Sequence, residues 1–318
     1  MSITRVSIVT PSFNRAEMLE RAILSVAGQG YRDIEHLVID GGSTDGSVAV
    51  LEKMASLYGV RWVSEPDRGM YHAINKGMLI AQGQILAYLN SDDLYFPWSV
   101  ETAVAAFDED PLADIVYGDL AHLDTETGRG GLRLYAPFNL GYLVRSAFIG
   151  QPTAFWRRRV FEELGGFDEQ LQFVADCDFW MRAGRRFRFI KLDEVQAVDG
   201  RHPGTLRETH RDEVFSELRV VRRKNGAQDG LAGLMFRGLD GIYHVLHTQV
   251  AFLGFALEWA RSRVLRRPPR RWARFLSSES EISPVRLMLS LVPDPRRRLG
   301  WGVVTVRPGL LGPRRSRP

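Results

Sequence analysis

Along the first hundred residues, short apolar and β-branched runs alternate with stretches of helical periodicity. The runs are Val6–Thr10 (VSIVT), Ile34–Asp40 (IEHLVID), Val60–Ser64 (VRWVS) and Ile85–Asn90 (ILAYLN). Their ends lie roughly 25 to 30 residues apart, which leaves room for one helix each time. Residues 14–27 place Met18, Leu19, Ala22, Ile23 and Val26 on one face, with Asn14 as the expected N-cap and Glu17 three positions on. Residues 47–58 and 69–81 repeat the pattern. Strand, helix and strand at this spacing predict parallel strands joined by right-handed crossovers, an α/β fold.

The pattern loosens after residue 100. It predicts a helix over 98–107, a strand over Ile115–His122 and irregular chain over 130–150. A further helix lies in FVADCDFWMRAGRR, with Phe179, Trp180 and Met181 facing inward, and another spans about 207–224. KNGAQDG at 224–230 marks a boundary, so residues 1–225 are expected to form one domain and 226–318 a helical basic tail. In the tail, IYHVLHTQVAFLGFALEW (242–259) is apolar but interrupted by His244, His247, Thr248, Gln249 and Glu258. That is too broken for a clean membrane span. The Arg, Trp and Phe of RSRVLRRPPRRWARF follow, a pattern suited to lying on an anionic membrane surface, with packing against the body as the other reading. The last twenty residues, rich in Pro, Gly and Arg, read as disordered.

Composition sharpens that division. The net charge of +4 conceals a tail with 16 Arg against 6 Asp plus Glu, so the tail carries about +10 and the body about −6. No nucleic-acid-binding module accompanies the basic residues, and nucleic acid is not expected as a partner. A single cysteine, Cys177, excludes an internal disulfide and fits a reducing compartment. The apolar run Val6–Val9 is too short for a signal-peptide core, so a cytoplasmic location is expected, with attachment to the inner face of the cell membrane through the 242–275 segment.

In open α/β sheets ligands gather at the carboxyl ends of the strands. Here those ends carry Thr10-Pro11, Asp40-Gly41-Gly42, Glu65-Pro66-Asp67 and Asn90-Ser91-Asp92-Asp93. Asp92 and Asp93 pose a particular question, because adjacent carboxylates at the end of a buried strand repel each other and are costly to desolvate. A divalent cation shared with a diphosphate would offset that repulsion. Capping of the helix that starts near Trp98 is the other reading.

The series TPSFNR, VIDGGSTDGS, SEPDRGMYHAINKG, LNSDD and GGFDE…ADCDFWMR resembles the family 2 glycosyltransferases, over roughly residues 3–225. The resemblance implies a GT-A fold, a Rossmann-like, mostly parallel central sheet flanked by helices. It implies a metal-dependent, inverting transfer of a sugar from a nucleotide diphosphate, most often a UDP-sugar, to a hydroxyl group. By position, Thr10 and Pro11 would frame the nucleotide base, Asp40 would hydrogen-bond it, and Gly41 and Gly42 would form the turn beside it. Glu65, Asp67 and Arg68 would line the third rim loop. Asn90, Ser91 and Asp92 occupy the family's DxD slot, with Asp92 the expected Mn²⁺ or Mg²⁺ ligand and Asp93 its support. Asp176 matches the family's general base, with Asp178 as its rival, since Ala175 stands where many relatives have Glu. Asn90 replaces the first acid of DxD and brings no charge to a metal. Gln151, Pro152 and the RHPGT segment are expected to border the acceptor site, and His202 is a candidate metal or diphosphate contact.

Other classes fit less well. A nicotinamide-dependent dehydrogenase needs a G-x-G-x-x-G turn after the first strand, where this chain has TPSFNR. A nucleotidyltransferase would need a Gly- and Arg-rich triphosphate loop near the N-terminus. A catalytically silent sugar-nucleotide-binding or scaffold protein of the same fold remains the alternative of a different class. The expected acceptor is a saccharide or lipid-linked molecule of cell-surface polysaccharide synthesis.

Overall fold

A computed structural model describes residues 4–124 and 130–227, positions 235 and 239, and the strand residues 302–304. The tail segment 242–275, the membrane contact expected of it and the last twenty residues lie outside the described residues. Among the described residues no helix is long and apolar enough to cross a membrane.

The alternating pattern folds as it predicts. In chain order come β1 (Val6–Ser12), α1 (Ala16–Ala27), β2 (Ile34–Asp40), α2 (Ser47–Tyr58), β3 (Arg61–Ser64), α3 (Met70–Ile80) and β4 (Ile85–Tyr88). All neighbouring pairs in the spatial order β3-β2-β1-β4 are parallel, so their carboxyl ends share one edge. The apolar stripe of α1 (Leu19, Ala22, Ile23, Val26) is fully buried. Asn14 does not cap this helix. It takes a left-handed conformation at φ 52°, and the Asp45 carboxylate from the loop before α2 accepts the Ala16 N–H at 3.0 Å instead. A distant carboxylate thus replaces the local cap.

The second half is mixed. It comprises β5 (Leu94–Tyr95), α4 (Ser99–Glu109), β6 (Ile115–Asp124), β7 (Gly130–Arg133), α5 (Leu140–Ser146), a 3-10 turn (Gln151–Thr153), β8 (Ala154–Arg157), α6 (Arg158–Leu164), α7 (Ala175–Ala183), β9 (Phe189–Arg201), α8 (Leu206–Thr209), α9 (Arg211–Lys224) and β10 (Gly302–Val304). β8 lies antiparallel between β4 and β6 and extends the sheet towards β7 and β10. β9 runs parallel to β6 and antiparallel to β5. The stretch 130–150, expected to be irregular, holds β7 and the seven-residue α5, elements too short for periodicity to reveal. The helix expected over 207–224 divides at His210 into α8 and α9.

An aromatic cluster fastens α7 to the sheet. Trp156 of β8 meets Trp180 of α7 edge to face at 5.4 Å, and Phe167 stacks on Phe179 at 4.5 Å. Such pairs contribute about 0.5–1.5 kcal/mol each beyond their buried area. They fix the helix that carries Asp176.

Candidate functional site

The base-facing rim differs from the residue roles read from sequence. Thr10 is fully buried, and its hydroxyl lies 2.9 Å from His36 Nε2 within the sheet. Burial lowers the His36 pKa to about 3, so the ring is neutral there. Pro11 is likewise buried in β1, which runs on to Ser12. Asp40 is enclosed by its own turn. Its carboxylate accepts from Gly42 N at 3.1 Å, Ser43 N at 2.9 Å, Ser43 Oγ at 2.5 Å and Ser64 Oγ at 2.7 Å. Oδ2 takes three of these bonds and Oδ1 only the one from Ser43 Oγ, so Asp40 shapes the loop while Oδ1 keeps a lone pair. Two other side chains take the open position. A Cβ on Gly41 would sit 2.8 Å from Asp67 Oδ2 and 3.3 Å from the Phe13 ring. Phe13 is 59% exposed, and Asp67 is anchored through Oδ1, which accepts Gly69 N at 2.8 Å. On the same loop Glu65 pairs with Lys76, and Arg68 reaches Glu169 at 2.7 Å.

At the end of β4 the two carboxylates diverge. Asp93 turns inward and accepts Gly200 N at 3.2 Å and Asn90 Nδ2 at 3.2 Å. Burial, then the neighbouring charges of Asp92 and Asp199, push its pKa well above the usual carboxylate range. It braces β9 rather than facing a ligand, and neither carboxylate caps α4. Asp92 instead faces His202, whose Nε2 lies 3.4 Å from Asp92 Oδ2. This imidazole nitrogen is buried and has no hydrogen-bond partner. Gly200 permits the approach, since a Cβ there would collide with the Asp92 carbonyl oxygen. Burial raises the Asp92 pKa and the nearby imidazole opposes the rise. His202, expected beside an acceptor or metal, thus belongs to the Asp92 turn.

The other ring nitrogen, His202 Nδ1, accepts Gly204 N at 3.1 Å. Nε2 therefore carries the ring proton and aims it at Asp92. The Asp92 carboxylate is the group here that suits a divalent cation sharing its remaining positions with phosphate oxygens. Among the described residues no closed group of three His, Cys, Asp or Glu side chains accompanies it. Glu17, Met18 and Arg21 of α1, with Leu94 and Leu123, line a cavity of about 240 Å³ that ends on Asp92 and His202. Ser91 is buried, and Asn90 Nδ2 also reaches Gln151 Oε1 at 3.4 Å. Gln151 in turn donates to Tyr88 O at 2.7 Å, and with Pro152 it is buried. Gln151 supports the Asn90 turn from within, and Pro152 is buried beside it in the 3-10 turn.

The paired acids of α7 also separate. Asp178 is fully buried, 2.6 Å from Arg182 Nε and 3.6 Å from Lys224 Nζ, with Asn225 Nδ2 at 3.4 Å. It forms a buried ion pair that packs α7 against α9. Asp176 is partly exposed in the first turn. Burial raises its pKa, and bonds from the Cys177 N–H and Tyr71 hold it down. Tyr71 Oη lies 3.3 Å from Asp176 Oδ1. Over the site, the segment after β9 folds back onto α1, where Arg15 Nη2 donates to Gly204 O at 2.8 Å. Arg207 lies 3.8 Å from Asp199.

Sequence reading missed Phe13, Arg15 and Tyr71. Phe13 stands beside the TPS strand end, where an aromatic was a visible signal. Tyr71 has the periodicity of a core residue, which masks its hydroxyl.

Residues 7–187 match the family described as Glycosyl transferase family 2. The chain is 32% identical over 185 residues to a PGL/p-HBAD biosynthesis glycosyltransferase of Mycobacterium bovis, covering 57% of this chain and 70% of the relative. It is 35% identical over the same length to an uncharacterized glycosyltransferase of Mycobacterium tuberculosis, with the same coverage. Among solved structures it resembles residues 1–349 of S. aureus TarS in complex with UDP-GlcNAc, with TM-score 0.57, 18% identity, and 68% of this chain and 65% of that one covered. Of full-length TarS the chain spans 39%. It also resembles the mannosyltransferase PcManGT of Pyrobaculum calidifontis in complex with GDP-Man and Mn²⁺, with TM-score 0.56, 20% identity, and 91% and 79% covered. At these identities the structural likeness establishes the fold.

Proposed function

The chain belongs to glycosyl transferase family 2, and on that premise we propose that it moves a sugar, with inversion, from a nucleoside diphosphate donor to a hydroxyl group of a saccharide or lipid-linked acceptor. A hexose from a UDP-sugar is the donor we favour, and cell-surface polysaccharide is the product class. The observation that carries the reading is the approach of Asp92 to the unpartnered Nε2 of His202 at the end of β4.

The exposed Phe13 ring offers a stacking face for the base. Asp67 Oδ2 accepts an imino N–H, a donor that uracil has and cytosine lacks. Asp92 would hold Mn²⁺ or Mg²⁺, with the His202 Nε2–H beside it as a donor to the diphosphate. When bound, the ion supplies positive charge that stabilises the departing diphosphate. Asp176 accepts the proton of the attacking hydroxyl, whose own pKa is far above 7. A carboxylate base suits this task when its pKa is raised towards the working pH, and burial moves Asp176 in that direction. A single base, with no second carboxylate acting as nucleophile, corresponds to one displacement and therefore inversion. Residues 1–225 form the catalytic domain in this proposal, and the basic segment 242–275 attaches the enzyme to an anionic membrane surface on the cytoplasmic side.

Calorimetry with UDP-, GDP- and dTDP-sugars, with and without Mn²⁺, tests the reading. Binding of one donor that depends on metal and is lost in Asp92→Ala supports it. Binding that ignores both metal and Asp92 overturns the metal assignment. No binding by the folded protein favours a catalytically silent scaffold.

A further inference from the structure

The chain segment that presents Asp176 is gripped at one residue from two directions. Phe173 lies three positions before Asp176, just ahead of α7. Its N–H donates to Glu217 Oε2 of α9 at 2.7 Å, and its carbonyl accepts from Tyr71 Oη of α3 at 3.2 Å. Glu217 also takes the N–H of Gln172 at 2.7 Å and of Val174 at 2.9 Å. One carboxylate therefore collects three consecutive backbone donors at the start of a helix whose N-cap, Val174, has no side-chain cap of its own. The same Tyr71 hydroxyl stands 3.3 Å from Asp176 Oδ1. Tyr71 is buried and stacks on Phe167 at 5.9 Å, so its hydroxyl has little freedom to leave. Lower on the same helix pair, Lys224 and Asn225 hold Asp178.

We propose that Glu217 and Tyr71 are positioning residues that clamp the 172–174 segment, so that α9 and α3 together fix where the Asp176 carboxylate points. The inference rests on Asp176 being the base. Its physical content is that the reach of a base must be set to within a fraction of an ångström, because small misplacements cost large rate factors. The α7 helix has only one turn ahead of Asp178, too little to hold Asp176 rigidly by itself. The clamp supplies that rigidity from residues 41 and 105 positions away. Tyr71 adds a second effect. Its single hydroxyl proton is shared between the Phe173 carbonyl at 3.2 Å and Asp176 Oδ1 at 3.3 Å. Losing the share given to the ionised carboxylate favours the protonated form.

The test uses the full chain with Mn²⁺ and a bound UDP-sugar, with water as the acceptor. It compares wild type with Tyr71→Phe, Glu217→Gln and Asp176→Asn. Three quantities are read: release of UDP, donor Kd, and the titration of the Asp176 carboxyl carbon by NMR, assigned through Asp176→Asn. Tyr71→Phe is expected to raise the Asp176 pKa by about one unit, cut UDP release about tenfold and leave donor Kd unchanged. Glu217→Gln is expected to speed amide exchange at 172–174 by about tenfold or more and to lower UDP release without weakening the donor. An unchanged Asp176 titration together with unchanged UDP release in Tyr71→Phe overturns the inference, whatever happens to Glu217→Gln. The base reading fails separately, if Asp176→Asn releases UDP at the wild-type rate.

Discussion

Asp40 is held by Ser43, three residues along the chain, whereas Asp176 is held by Tyr71, 105 residues away. That contrast runs through the two halves of the molecule. In the parallel half, β3-β2-β1-β4, each rim residue sits at the end of its own strand and is bonded mainly by its own loop. In the mixed half, His202 reaches Asp92 only because the thirteen-residue β9 runs the length of β6 and crosses back against β5. Local turns therefore build the side proposed to bind nucleotide, and long-range packing builds the side proposed to do the chemistry. A strand end is a cheap place to display a polar side chain, since the loop is solvated anyway. A base needs a chosen pKa and a fixed direction, and both come from neighbours that the chain brings in from far away.

The largest test of this contrast is Asp176→Asn. It should lower turnover by about 10²–10⁴-fold while donor Kd stays the same, measured by steady-state kinetics and calorimetry on one preparation. A matching loss of donor affinity would merge the two halves into one binding site. Next in size is Lys191→Met. Lys191 Nζ lies 2.7 Å from Asp119 Oδ1 in the mixed half, with both side chains almost fully buried. Asp119 keeps the Tyr135 N–H at 2.8 Å, but losing the buried cation beside it should still cost about 3–5 kcal/mol in urea unfolding. A cost below 1 kcal/mol would show that the mixed half relaxes more easily than its packing implies.

The parallel half carries its own pH signature. His36 has a pKa of about 3 when folded, against 6.5 as the ordinary value. Below pH 6.5 the unfolded chain takes up a proton that the folded chain refuses. The stability is therefore full above that pH and declines as the pH falls towards 3. The loss at pH 5 is about 2 kcal/mol. Comparing unfolding of wild type and His36→Gln at pH 7 and pH 5 isolates it from the opposing carboxylates, and equal slopes would refute it. The smallest expected effect is Phe13→Ala, which should weaken donor binding about tenfold through lost base stacking and leave turnover of bound donor intact. A change in turnover of bound donor would break the division between binding side and chemical side.

Much of the parallel half was legible in the sequence. The apolar beat gave its strands and helices within a few residues, and the polar strand ends marked the rim. Its departures are instructive. Asn14 looked like a cap, but Asp45 came from another loop to do that work. Asp40 reads as a ligand contact, and the fold also makes it an anchor of its own turn, with Oδ2 accepting three bonds. Both arise because a carboxylate or amide has several partners within reach, and the sequence does not say which is nearest after folding. Gln151 likewise turns inward to the Asn90 turn, which its polarity alone does not foretell.

The sequence by itself determined the α/β alternation, the acidic rim and the family, because strand and helix periods follow from local geometry and the motifs are contiguous. Only the tertiary structure separates the surroundings of Asp92 from those of Asp93 at the rim, and of Asp176 from those of Asp178 on α7. In each pair the two acids are chemically alike and one or two residues apart, and what separates them is environment. Asp93 and Asp178 turn into packed protein and find donors there. Asp92 turns towards the buried Nε2 of His202, whose Nδ1 accepts Gly204 N, and Asp176 remains partly exposed beside Tyr71. Burial and hydrogen bonding assign roles to identical side chains, and both are properties of contacts made across the fold.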